Sequence, residues 1–242
     1  MSIVLYHAPK SSASRRVRLF LEEKGVEYVA HEIDLSRQEQ HQPAYLAINP
    51  LGVVPTILHD GRPLHESGTI CEYLDAVFPE PRLLPDDPYD LALMRNFVRH
   101  VDGLIGNLIR FNWRHHLQKK AQGMTEAELS AMLTRIPSAE RREAWMRVAR
   151  NPYTEDELAE SRGKLIALLD QMEGMITDGW LIGGRYGLAD IAVAPFVRRI
   201  DEEIAPDAMS AAQRPAVAAW WAALQARPAY ARADFGPFID PG

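Results

Sequence analysis

The residues that could do chemistry begin with HAPKSSASRRVR, residues 7–18, where Ser11, Ser12 and Ser14 stand just ahead of Arg15, Arg16 and Arg18. A serine where a helix starts can cap free backbone N–H groups. The same free N–H groups and the helix dipole also favour a bound anion. A hydroxyl that donates to a thiolate stabilises the charged form and lowers that thiol below its usual value of about 8.5. Both uses fit these residues. Val54-Pro55 is the second feature. It marks a strand edge, or a cis bond that turns the preceding backbone towards an extended ligand. Glu66-Ser67 is the third. It reads as an acidic residue and a cap at a helix start, or as a receptor for an α-amino acid head group. There the helix start would take the carboxylate and Glu66 the ammonium. Asp190, in YGLADIAV, reads as an early-turn acid stabilised by the helix dipole.

Other candidate groups lie apart from these. Asn112, Trp113, Arg114, His115 and His116 fall in a run that could line an aromatic pocket for a second substrate. No Cys, Asp or Glu stands at ligand spacing from the two histidines, so no metal site is expected. Cys71, next to Ile70 and two residues from Tyr73, reads as a packing residue. With no cysteine in residues 7–18 and no C-x-x-C, dithiol redox chemistry is excluded. Residues 110–150 carry nine Lys/Arg against four Glu, a local net charge of +5. That is a solvated basic face, or an attractor for an acidic substrate.

The elements that must position these groups follow from hydrophobic period. Residues 3–7 suit a short buried strand, Val17, Phe20 and Leu21 recur at helical spacing before Gly25, and residues 27–33 suit a second strand. Strand, helix and strand in about thirty residues form a βαβ unit with parallel strands. Val53–Leu58 and Pro63–His65 flank Asp60-Gly61, a hairpin signal, and a helix is expected over 67–77. Four prolines in residues 78–88 forbid a helix or central strand there. Beyond residue 90 only 3–4 spacing appears, from Met94 to Ile109, from Leu158 to Ile176, from Ile191 to Val197 and from Val217 to Leu224. The expectation is an α/β domain over 1–78, a linker over 79–88 and an all-α domain over 89–242. The net charge of −6 argues against nucleic-acid binding. No apolar run reaches the length of a membrane span, no signal peptide is evident, and the single cysteine suits a cytoplasmic protein.

The order of these features resembles the cytosolic glutathione transferase superfamily. The carriers are LYHAPKSSASRRVR, INPLGVVPTILHDGRPLHES, ICEYLDAVFPEPRLLP and LIGGRYGLADIAVAPF. The resemblance implies a thioredoxin-like N-terminal domain with a four-stranded mixed sheet, an all-α C-terminal domain and glutathione as co-substrate. It implies that Ser11 activates the thiol, with Ser12 and Ser14 nearby. Val54 would pair with the tripeptide's cysteinyl backbone beside a cis-Pro55, and Glu66 and Ser67 would hold the γ-glutamyl group, with His41 also at the glutathione site. His7, Ala8, Asn112, Trp113, Arg114 and His115 would line the co-substrate pocket. Asp190 would be the acid of a helix capping box, whose usual Ser/Thr partner is here Gly187.

Within the superfamily the chain is similar to the bacterial β-aryl etherases, through EQHQPAYLAINPLG, HESGTICEYLDAVFPE and RIPSAERREAW. In that group a serine aligned with Ser14 sits near the thiol, and the thiolate attacks a carbon beside a ketone. The expected activity is therefore glutathione transfer to an apolar, aromatic electrophile, with ether cleavage as a specific form. The expected assembly is a homodimer. The alternative is a scaffold of the same fold that binds ligands or proteins without catalysis.

Overall fold

In the computed structural model, which describes residues 2–237, residues 2–77 form a four-stranded sheet with helices. Met1 and residues 238–242, the ends of the two expected domains, lie outside the described residues. Strand β1 (Ile3–His7) is followed by helix α1 (Ser12–Lys24) and strand β2 (Val29–Glu32). A polar stretch then holds two 3-10 turns (Leu35–Arg37, Glu39–His41) and the short α2 (Pro43–Leu46). Strands β3 (Thr56–His59) and β4 (Arg62–His65) and helix α3 (Ser67–Val77) complete the unit. The sheet order is β2-β1-β3-β4. β1 and β2 are parallel, as a crossover helix requires, and β3 is antiparallel to both β1 and β4. The β3–β4 turn is made by Asp60 and Gly61, both at positive φ (48° and 78°), the geometry a two-residue hairpin needs.

The proline-rich connection is pinned to this unit. The buried Lys24 and Asp75 pair at 2.5 Å. Lys24 Nζ also donates to the carbonyls of Phe78 and Pro81 at 2.6 Å, and Asp75 accepts from the Leu83 N–H at 2.9 Å. Burying both charges is tolerable because these added bonds occupy them.

From Asp87, which caps the next helix, the chain is helical: α4 (Pro88–Gly103), α5 (Ile105–Asn112), α6 (Gln118–Gln122), α7 (Glu126–Leu133), α8 (Ala139–Arg150), α9 (Glu155–Met175), α10 (Leu188–Arg199), α11 (Pro215–Gln225) and α12 (Pro228–Arg232). The apolar run expected as one helix to residue 109 is interrupted at Gly103–Leu104. One continuous core joins the two domains, running from Leu5, Phe20 and Ile70 to Met94, Phe97, Ile191 and Trp220. A smaller core of Trp113, Ala121, Leu129, Met132, Val148 and Ala149 stabilises the α5–α8 region separately. Among the described residues no helix is long and apolar enough to cross a membrane.

α10 starts at Gly187, whose N–H donates to Asp190 Oδ2 at 3.0 Å. Half of the expected capping box is thus kept, and the half that needs a side chain is missing. A Cβ at position 187 would stand 2.6 Å from the Leu83 carbonyl oxygen, which already accepts from the Leu188 N–H at 2.8 Å. The linker's close approach is why glycine replaces Ser or Thr. Asp190 is almost fully buried and also accepts from the Leu181 N–H at 3.1 Å and Trp220 Nε1 at 2.7 Å.

Candidate active site

Sheet register brings the distant motifs to one edge. Tyr6 is opposite Thr56, and Thr56 is opposite His65. The residues just past these pairs, from Ala8, from Val54-Pro55 and from Glu66-Ser67, therefore leave the sheet at the same end. The Val54-Pro55 bond is cis. Its approach is held from below: Tyr45 Oη and Asn49 Nδ2 donate to the Val53 carbonyl at 2.6 and 2.8 Å. Among the described residues the Val54 backbone makes no hydrogen bond of its own, so its N–H and C=O are available to an extended ligand.

The three serines separate by environment. Ser11 is the N-cap of α1 and is half-buried; its Oγ accepts from the Ser14 N–H at 3.3 Å. A hydroxyl has one hydrogen to donate and two lone pairs, so capping leaves the Ser11 hydrogen for another acceptor. Ser12 is the first residue of α1, also half-buried. Ser14 has no exposed surface, and its Oγ accepts from the Ala8 N–H at 3.2 Å. It fastens the 8–14 turn from inside, one hydrogen bond away from Ser11.

Glu66 has φ 70° and ψ 106°. A non-glycine residue there is strained by about 1–3 kcal/mol, and such strain concentrates at ligand sites. It stands at the N-terminus of α3, beside Ser67. Ser67 Oγ accepts from Arg16 Nη1 at 3.0 Å, while Arg16 Nη2 pairs with Asp102 at 2.6 Å and reaches the Ala192 carbonyl at 3.3 Å. Arg16, 2% exposed, thus ties α1 to α3, α4 and α10 beneath the site. Sequence reasoning missed this role, because nothing local distinguishes Arg16 from its neighbours.

His41 is buried with no partner of normal geometry for either ring nitrogen among the described residues. Burial lowers its pKa, and the charges of Arg141 and Arg135 lower it further. Gly52, at φ 61°, covers it closely; a Cβ there would stand 2.8 Å from the ring. Arg141 also senses Glu66: crowding lowers the guanidinium pKa while Glu140 and Glu66 oppose the shift. Arg141 and Arg135 are nonetheless exposed, and Lys120 of the same basic segment donates to the Ser36 carbonyl at 3.0 Å.

The expected co-substrate residues divide. His7 is buried, its Nδ1 3.0 Å from Arg18 Nη1. Burial, then the charges of Arg18 and His31, push it down to about 4, so it is neutral. Ala8 is also buried. Trp113 packs in the smaller core, edge-on to Trp145 at 4.7 Å. His7, Ala8 and Trp113 are thus largely enclosed by neighbouring side chains. Arg114 pairs with Glu155 at 2.5 Å. Asn112 is half-buried, its Oδ1 without a partner among the described residues, and His115 is exposed. Cys71 is fully buried, and burial pushes its thiol up. A cleft of about 490 Å³ between α7 and α8, lined by Glu126, Leu129, Arg142 and Met146 among others, includes none of these residues.

Comparison with known proteins covers both domains. Residues 5–82 match the glutathione S-transferase N-terminal domain, and residues 125–228 match the glutathione S-transferase C-terminal domain. The chain is 32% identical over 237 residues to Protein LigF of Sphingobium sp. strain SYK-6, covering 95% of this chain and 91% of that one. It is 31% identical over 206 residues to maleylacetoacetate isomerase of Pseudomonas aeruginosa, covering 79% and 78%. The crystal structure of beta-etherase LigF superposes with a TM-score of 0.88 at 30% identity, over 96% of this chain and 98% of that one. With both domains matched in order and a relative aligned over nearly its whole length, the chain belongs to the glutathione S-transferase family.

Proposed function

We propose that this glutathione transferase uses Ser11 to stabilise the glutathione thiolate, which attacks an electrophilic carbon of an aromatic co-substrate and cleaves an aryl ether. The observation that carries the reading is the meeting, at one edge of the sheet, of an N-capping serine with a hydrogen to spare, an unpaired backbone beside cis-Pro55, and a strained Glu66 at a helix N-terminus. Glu66 takes the γ-glutamyl ammonium, Ser67 and the α3 N–H groups take its carboxylate, and Val54 pairs with the cysteinyl backbone. His41, buried with neither ring nitrogen in a hydrogen bond of normal geometry among the described residues, meets the remaining part of the tripeptide. The similarity to a β-etherase over almost the whole chain supports the aryl ether as substrate class. In this reading the protein works as a cytoplasmic homodimer.

Catalysis then consists of thiolate population and positioning. The α1 dipole and the Ser11 hydroxyl both favour the anion. Ultraviolet titration of bound glutathione tests this. The Ser11→Ala variant is expected to raise the bound thiol pKa by about one unit or more and to lower kcat more than KM. Ser12→Ala should change it less. An unchanged thiol pKa in folded Ser11→Ala would assign the anion to backbone N–H groups and remove Ser11 from the mechanism.

A further inference from the structure

Two turns of π-helix bring a second set of titratable side chains together. One, Trp113–Leu117, lies between α5 and α6; the other, Ile200–Ile204, extends α10. A π-turn accommodates an extra residue and shifts side chains out of helical register, and such turns recur at functional sites. Here the first supplies His115 and His116, and the second supplies Glu203. His115 Nδ1 lies 2.6 Å and His116 Nε2 3.6 Å from the same carboxylate oxygen, Oε1. The other oxygen accepts from Arg199 Nε at 2.9 Å and Nη2 at 2.6 Å.

Exposure orders this cluster. The Glu203 and Arg199 side chains are 2% and 1% exposed, whereas His115 is 41% exposed. An ordinary surface ion pair has both ends in water. This one has a carboxylate inside, gripped by a buried guanidinium, and an imidazole outside. Burial alone would raise the Glu203 carboxyl; Arg199 and the His115 hydrogen bond outweigh it and hold it below its usual value. An ionised carboxylate only accepts hydrogen bonds. That assigns the Nδ1 hydrogen of His115 to Glu203 and leaves Nε2 for a bound molecule.

The second π-turn extends α10, and α10 packs against α1, the helix that Ser11 caps. Burial lowers His116, Glu203 opposes the shift, and the charges of Arg199, His115 and Lys10 add to it. Lys10 immediately precedes Ser11. Arg15 of α1 senses Arg198 and Glu202 beside the second π-turn. The buried Phe111 ring packs edge-on against that of His115, centroids 5.9 Å apart, and fixes its orientation from the core side.

We propose that His115, held through Nδ1 by Glu203, is the acid that protonates the oxygen leaving the co-substrate. The inference rests on the glutathione-dependent ether cleavage proposed above. In that step the glutathione sulfur bonds to carbon, the carbon–oxygen bond breaks, and its electron pair goes to the aryl oxygen. The protonated His115 ring gives its Nε2 proton to that oxygen, forming the phenol. Water, which took the thiol proton, returns one to the ring. Glu203 and Arg199 are positioning residues.

The test is a series of β-aryl ethers from 4-nitrophenyl to 4-methoxyphenyl, turned over with glutathione by the wild type, His115→Gln and His115→Gly. A positioned acid contributes about 100-fold or more. His115→Gln should therefore lose about 100-fold on the 4-methoxyphenyl ether, the loss shrinking steadily towards 4-nitrophenyl. Added imidazole should restore His115→Gly on the poorer leaving groups. Calorimetry should report wild-type glutathione affinity in both variants. A wild type active on the series, with no steeper leaving-group dependence in His115→Gln, overturns the acid role alone. A wild type that binds glutathione but cleaves no member overturns both the ether reading and the acid role.

Discussion

Glu66 shows what one residue can be made to hold. Its backbone sits at φ 70°, where a Cβ is disfavoured, and in the proposed reading its carboxylate meets the ligand's ammonium. Two substitutions separate these roles. Glu66→Ala and Glu66→Gly both remove the carboxylate, and each should weaken glutathione by about tenfold, since a charge-assisted bond contributes about 1.5–3 kcal/mol. Only glycine relieves the backbone. Glu66→Gly should therefore be more stable than Glu66→Ala by about 1 kcal/mol, read as denaturant midpoints beside calorimetric affinities. Equal midpoints would mean the strain is taken up elsewhere. At this scale the sequence was informative where chemistry is local: a serine at a helix start, Val-Pro before a strand, Glu-Ser before a helix. It was silent on which serine is accessible. Ser14 is set apart from Ser11 by its full burial and by meeting the Ala8 N–H, both fixed by how the turn closes.

Helix α10 depends on a buried acid. Asp190 accepts from Gly187, Leu181 and Trp220. Asp190→Ala leaves three buried donors unsatisfied and should cost about 3 kcal/mol or more. Burial is the largest influence on its carboxyl and raises it from 3.8 to about 6, with the three donors opposing. The sign follows. Below pH ~4 the acid is protonated in both folded and unfolded chains. Between pH ~4 and ~6 the unfolded chain ionises first and stability falls, by about 3 kcal/mol for a two-unit shift. Chemical denaturation of wild type and Asp190→Asn at pH 4 and pH 7 should show the wild-type advantage shrinking as pH rises; an advantage that grows would reverse the assignment. The hairpin, the α1 stop at Gly25 and α3 were legible because their signals lie within a few residues. The two π-turns were not, because no spacing rule distinguishes WRHHL or IDEEI from ordinary helix. The Ser67–Arg16 and Arg16–Ala192 bonds span 51 and 176 residues and leave no local trace either.

At the scale of the whole molecule, the surface and the chain ends matter. Tyr89 and Leu93 of α4 are 71% and 38% exposed, and Ile105 of α5 is 36% exposed. Large apolar side chains left in water, Tyr89 and Leu93 one helical turn apart on α4, suit a surface that a second copy covers. Light scattering at micromolar concentration should report about twice the 27.3 kDa chain mass, and Leu93→Glu with Tyr89→Glu should move it towards that mass; a wild type at chain mass across the range defeats the dimer. The three arginines that follow the serines have a further consequence. Arg15 and Arg18 both donate to the Pro9 carbonyl, just before Ser11, and reach across to the carbonyls of Gly236, Ala233 and Asp234. A protein is made from its N-terminus onward, so residues 7–18 emerge from the ribosome more than two hundred residues before their partners. Until then two cations that the finished fold buries keep the Pro9 carbonyl but lack those of Ala233, Asp234 and Gly236. The last stretch to be synthesised thus supplies the partners that enclose the segment carrying Ser11, one of the first to be made.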